Sequence, residues 1–218
     1  MFYSGQNNLI TDVDNILVGN AEDRDIGTGT TILIPPIGST AAADVRGGAP
    51  GTREVGALNP YNLVDTIDAI VLSGGSAWGL EAASSAANFI GKSGRGFKTS
   101  ENIKNVPMVP AAILFDLSNG GNKDWGDTQP YNKLGIEATS KASIKFKLGN
   151  IGAGYGAKAG SLKGGLGSAS FENAEGLKVG GLFAVNSFGS VVNSETGQFW
   201  AASDELNNEF GGMGAPQD

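Results

Sequence analysis

Residues 44 to 54, DVRGGAPGTRE, set Asp44, Arg46, Arg53 and Glu54 among three glycines, an alanine and a proline. A segment this rich in glycine, with a Pro50–Gly51 turn, suits neither helix nor strand. Its four charges are either solvated or turned inward as salt bridges and backbone clamps. Two arginines favour the second use, because a guanidinium grips a carboxylate or carbonyl with two parallel hydrogen bonds. The role read here is architectural rather than catalytic, since ion-pair networks outnumber catalytic charges. The loop is expected to border an active site or a subunit contact.

The chemistry open to the chain is narrowed by what it lacks. Among 218 residues there is no histidine and no cysteine. A Ser-His-Asp triad, a thiol nucleophile, a zinc finger, a His-ligated metal and a disulfide are all excluded within the chain. Proton transfer falls to carboxylates, lysines, tyrosines or a free α-amine, and no metal or cofactor site is expected.

A net charge of −7 argues against a nucleic-acid or anionic-membrane surface, which needs a basic patch. The opening MFYSGQNNLITDVDNI lacks a basic stretch followed by an apolar run, and no window reaches the roughly 20 apolar residues of a membrane span. A cytoplasmic protein is expected. The 35 glycines, about twice ordinary usage, spread along an otherwise normally apolar chain. They point to tight turns and close backbone packing within one domain, residues 1–218.

The elements that must position any site alternate between strand and helix. TTILIPP (30–36) and AIVLSGG (69–75) read as strands, and the run from Ser76, SAWGLEAASSAANFIGKSG, as a helix packed through small residues. VPMVPAAILFDL (106–117) reads as a buried strand, NKLGIEATSKA as a weaker helix, and KVGGLFAVNSFGSVV (178–192) as paired strands. EFGGMGAPQD reads as a flexible tail. Two glycine patterns invite a phosphate-loop reading. LSGGSAWGL has the strand, turn and helix order but no Lys-Ser/Thr, and GYGAKA (154–159) lacks a convincing strand before it or helix after it. Nucleotide binding is not expected.

Five blocks, taken in order, resemble one family. They are DVRGGAPGTRE (44–54), IVLSGGSAWGLEAA (70–83), VPMVPAAILFDL (106–117), GNIGAGYGAKAGSLKGGLGSAS (149–170) and VGGLFAVNSFGSVV (179–192). Together, over residues 9 to 192, they are similar to the DmpA-type aminopeptidases, which include L-aminopeptidase/D-esterases, β-peptidyl aminopeptidases and nylon-oligomer hydrolases. The resemblance implies an α/β (α+β) fold, a four-layer αββα sandwich of the kind shared with ornithine acetyltransferases. It also implies a precursor that cuts itself and uses the new α-amine as base for the adjacent Ser or Thr, a chemistry that needs no imidazole.

No block resembling the family's nucleophile segment, Asn-Thr-Thr or Asn-Ser before an apolar strand, follows VNSFGSVV. The chain is therefore expected to be the α subunit, or the precursor truncated near the cut, with the nucleophile on a partner β subunit cut from the same precursor. The resemblance further implies a homo-oligomer of αβ units, α4β4, acting on small peptides, amino-acid amides or ω-amino-acid oligomers. A non-catalytic relative or an acyltransferase resembling the ornithine acetyltransferases is the alternative.

Carried over residue by residue, Asn186 matches the asparagine thought to donate to the oxyanion, against the plainer reading of a strand-end asparagine closing a turn. Phe115 stands where the family resembles Glu-x-Tyr-Asp. Here Ile113 and Phe115 replace the acid and the tyrosine, and only Asp116 remains, which puts β-peptide specificity in doubt. Phe115 lines the pocket or packs in the core. Lys163 resembles a lysine of the nylon-hydrolase branch, with Ser161 as the competing alignment. Trp78 and Ser76, at the start of the glycine-turn helix, line the substrate cleft or serve packing and capping.

Overall fold

The computed structural model describes residues 2–216. Its largest unit is a five-stranded sheet. Chain order gives β1 (Phe2–Ser4), β2 (Leu17–Asp23), β3 (Thr28–Ile34), β4 (Thr52–Arg53) and β5 (Ile70–Ser73). After β5 come helix α1 (Glu81–Gly91), strand β6 (Ala111–Ile113) and helix α2 (Tyr131–Ser140). The short strands β7 (Lys158–Ala159) and β8 (Leu162–Lys163) precede the longer β9 (Gly165–Asn173) and β10 (Lys178–Val185). The five-stranded sheet runs β2-β3-β5-β6-β4, a second sheet runs β1-β9-β10, and β7 with β8 forms a small hairpin. Among the described strands only β5 and β6 pair in parallel, with α1 in the connection between them.

The period of two along the strands sorts their side chains between layers. Ile32, Val71 and Ala111 face the helices and are buried with Ala82, Ala86, Leu134 and Ala138. Full burial of Ile32 or Val71 contributes about 1.5–3 kcal/mol each. The opposite face of β3 and β5 carries Thr31, Leu33, Ile70 and Leu72, and these line an apolar slot of about 360 Å3 against Gly180 and Leu182 of β10. Helices, first sheet and second sheet thus stack as three layers. The outer face of the second sheet is uncovered: Phe171 and Val179 are cross-strand partners there, and all of Phe171, Val179 and Phe183 are exposed.

Helix α1 forms because an alanine-rich run places Ala82, Ala86 and Ile90 at four-residue spacing on one buried stripe, and it ends at Gly91, before the left-handed Gly94. Its forward boundary is later than the sequence suggests, because Ser76–Leu80 forms a 3-10 turn before the α-helix starts. α2 buries Tyr131, Leu134 and Ala138 with the same logic.

Two strand expectations are corrected. Of residues 106–117 only Ala111–Ile113 forms a strand, with Val106 in an isolated bridge to Phe97, since Pro107 and Pro110 cannot donate to a ladder. Of residues 178–192 only Lys178–Val185 is strand, and its partner lies upstream in β9, from Lys178 opposite Glu172 to Val185 opposite Gly165. β9 was not legible because Gly, Ala and Ser fill it, residues with little strand preference of their own. The end of the chain, through Pro216, forms turns, and the last two tail residues lie outside the described ones.

Candidate active site

A buried carboxylate organises the turn between β5 and α1. Asp116 is 2% exposed. Its Oδ1 accepts the Gly75 N–H at 2.8 Å and its Oδ2 accepts the Thr28 hydroxyl at 2.6 Å. The Tyr131 hydroxyl in turn donates to Thr28 Oγ1 at 3.3 Å. Burial pushes the Asp116 carboxyl above its ordinary value, against the opposing pull of the Thr28 and Gly75 hydrogen bonds and the Lys123 ammonium. Burial, with the negative charges of Asp116 and Asp23, pushes the Tyr131 hydroxyl up to about 12, so it remains a donor.

This network closes the first glycine pattern to any phosphate. Gly74 N–H donates to Gly29, Gly75 N–H to Asp116 and Ser76 N–H to Leu114, so the three amides of the turn are already used inside the protein. Gly75 has φ 88°, and a Cβ there would collide with the Tyr131 ring, which requires glycine on two counts. An anion is present in the turn, and it belongs to the chain itself.

Above the carboxylate lies a polar cleft of about 420 Å3. Arg24 and Asp25 come from the β2–β3 turn, Asn119 from the loop after β6, and Tyr155, Lys158 and Lys163 from the segment running into the β7–β8 hairpin. Asn119 stitches these segments together. Its Nδ2 donates to the carbonyls of Gly27 at 2.6 Å and Gly156 at 3.0 Å, and its Oδ1 accepts the Gly121 N–H at 3.1 Å. A Cβ on Gly156 would stand 2.6 Å from Asp116 Oδ2, so the buried carboxylate sits directly under the cleft floor.

Asn186, one residue beyond β10, meets this cleft through Lys158. Its Oδ1 accepts the Lys158 N–H at 3.0 Å. Because a backbone N–H can only donate, that bond fixes which end of the amide is which and leaves Nδ2 as a donor with no partner among the described residues.

The other residues singled out from the sequence lie elsewhere. Ser76, at φ 53°, is tied by its backbone to Leu114 beside Phe115, and Phe115 is 56% exposed. Trp78 stands edge-on to Trp125 with ring centres 6.1 Å apart, and Trp125 is edge-on to Tyr131. None of these three lines the cleft that contains Lys163. Asp44 and Arg46 pair with each other at 2.6 Å on the surface. Arg53 pairs with Glu54 at 3.3 Å and also reaches the Ser84 hydroxyl on α1, lining a second hollow with Lys104. Glu54 is left-handed, and its Oε2 is buried without a partner among the described residues.

Comparison with known proteins decides the family. The model of peptidase family S58 matches residues 8–209. The chain belongs to peptidase family S58. Among S58-like relatives, an uncharacterised aminopeptidase of Mycobacterium tuberculosis is 41% identical over 211 residues, covering 93% of this chain and 59% of that protein. A 6-aminohexanoate-oligomer endohydrolase of Kocuria sp. is 29% identical over 168 residues, covering 73% of this chain and 41% of that protein. The chain thus spans about three fifths of the length of the aminopeptidase relatives.

Two solved structures share the fold. A β-aminopeptidase of Burkholderia sp. superposes with a TM-score of 0.65 at 23% identity, over 88% of this chain and 55% of that one. The L-aminopeptidase D-Ala-esterase/amidase of Ochrobactrum anthropi, described as a variant of the Ntn hydrolase fold, gives 0.66 at 19% identity, over 86% and 55%. The α+β architecture and the family expected from the five blocks are therefore as found. Among the described residues no helix is long and apolar enough to cross a membrane.

Of the residues singled out from the sequence, Lys163 lies on this cleft and Asn186 beside it, whereas Arg24, Asn119, Tyr155 and Lys158 on the same cleft were not singled out. A signal for Lys158 was available, since it lies in the glycine-rich block that carries Lys163. Asn119 gave none, because an asparagine followed by two glycines reads as an ordinary turn.

Proposed function

We propose that the chain is the α subunit of a self-processed N-terminal-nucleophile hydrolase that cleaves amide bonds of small peptides, amino-acid amides or ω-amino-acid oligomers. The nucleophile is a Ser or Thr hydroxyl at the new N-terminus of a β subunit from the same precursor, activated by its own α-amine. That arrangement suits a chain with neither histidine nor cysteine. The αβ units assemble as α4β4 in the cytoplasm, and the reaction uses no cofactor.

The observation that carries the reading is the placement of Asn186. Held by Lys158 through Oδ1, it points an unused amide donor from the end of β10, where a tetrahedral oxyanion gains most from a fixed dipole. Hydroxyl attack forms the acyl-enzyme, the amine leaves with the proton taken by the α-amine, and water then releases the acid. Lys163, in the adjoining cleft, contacts the substrate. Support for the incomplete fourth layer comes from the uncovered apolar face at Phe171, Val179 and Phe183, which suits further helices.

Intact mass and N-terminal sequencing of the product of the complete gene test the proposal. Two chains are expected, the second starting with Ser or Thr. A single uncleaved polypeptide that still hydrolyses amides refutes it.

A further inference from the structure

The β7–β8 hairpin places Lys158 directly opposite Lys163. Residues directly opposite in an antiparallel pair project to the same side, and like charges there repel. Both are exposed, and Arg24 joins them on the wall of the 420 Å3 cleft. Among the described residues none of the three makes an ion pair. Lys158 Nζ has only a long contact of 3.4 Å to the Ser118 carbonyl. The one acid on the same wall is Asp25, whose carboxylate accepts from Asn122. Three cations against one acid stand out in a protein of net charge −7. A fold this acidic could place a carboxylate beside the lysine pair and does not.

We infer that Lys158, Lys163 and Arg24 bind the free carboxylate of a short peptide or oligoamide, so that the cleft selects substrates by their anionic end. The inference rests on the hydrolase reading above and adds the substrate class. An incoming carboxylate relieves the repulsion across the hairpin and forms charge-assisted hydrogen bonds with cations already in place. The backbone N–H of Lys158 holds Asn186, so the carboxylate grip lies one residue from the oxyanion donor. The anionic end therefore sits close to the bond being cleaved, and the leaving group is short.

The test uses the processed full-length protein with two probes that differ only in this charge, alanyl-alanine and its C-terminal amide. The acid is expected to be turned over roughly tenfold better in kcat/KM, the scale of one hydrogen bond to a charged group. Added sodium chloride narrows the gap, because exposed charges are screened. Lys158→Gln narrows it as well, and Lys158→Arg restores it. Equal turnover of both probes, or preference for the amide, overturns the inference while leaving hydrolysis intact. If neither probe is cleaved, NMR titration separates the two readings. Salt-sensitive binding of alanyl-alanine that Lys158→Gln abolishes supports the carboxylate site without the hydrolase. Equal binding of the two probes, or none, overturns it.

Discussion

Asp116 Oδ1 accepts the N–H of Gly75 across 41 positions of sequence, and the bond fixes the turn that leads from the central strand into α1. Because the carboxylate is buried, replacing one of its oxygens leaves a donor facing a donor. Asp116→Asn is expected to cost about 1–3 kcal/mol. Urea unfolding at neutral pH measures it, and an unchanged midpoint would show that the turn holds itself.

The same carboxyl gives a pH signature. Its value in the folded protein is raised by burial, so folding favours the protonated form. The contribution to stability is full below the ordinary carboxylate value and is lost as pH rises through the raised one. The stability gap between the native protein and Asp116→Asn should therefore widen as pH falls through that window. Melting curves of both proteins across the acid range decide it, and a gap that narrows on acidification contradicts the burial argument.

Asn186→Ala should lower turnover on a chromogenic amide by about 10² to 10³ with little change in melting temperature. Its only hydrogen bond among the described residues is the exposed one to Lys158, so the fold loses little. A normal rate in a correctly assembled protein removes Asn186 from the mechanism.

The uncovered face of the second sheet yields a prediction about association. With Phe171, Val179 and Phe183 open to solvent, the chain produced alone should self-associate or bind an apolar dye. Phe183→Ser should reduce both effects. Light scattering that finds a monodisperse, dye-free monomer counts against it.

What the sequence made legible follows from where periodicity and composition agree. α1 and α2 carry apolar residues at helical spacing, and β3 and β5 are β-branched runs stopped by proline or glycine. β9 carried no such signal, for its stability comes from partners on both sides, β1 and β10, and from contacts such as Ser168 Oγ receiving the Ile10 N–H. Asn186 and Lys163 could be singled out by motif, and the structure places Lys163 on the polar cleft and Asn186 beside Lys158. Arg24 and Asn119 could not, because their roles exist only once three distant loops meet, and an exposed arginine after Asp23 looks the same whether or not a cleft lies beside it. The charged loop shows the converse. Its composition announced ion pairs, which are present at Asp44–Arg46 and Arg53–Glu54, but gave no sign that the first pair would stand in solvent.

Strand β1 pairs with β9 through Phe2 opposite Asn173 and Ser4 opposite Phe171. During synthesis β1 must wait for all the residues between Ser4 and Gly165 before it meets its partner. The first sheet, by contrast, has all its strands by Ile113. Closing so long a loop is entropically slow, so the helix-backed sheet assembles first and the second sheet condenses onto it late. During that interval the apolar side of β3 and β5, with Leu33, Ile70 and Leu72, has no cover, which makes the time of synthesis rather than the finished molecule the point of greatest exposure to aggregation.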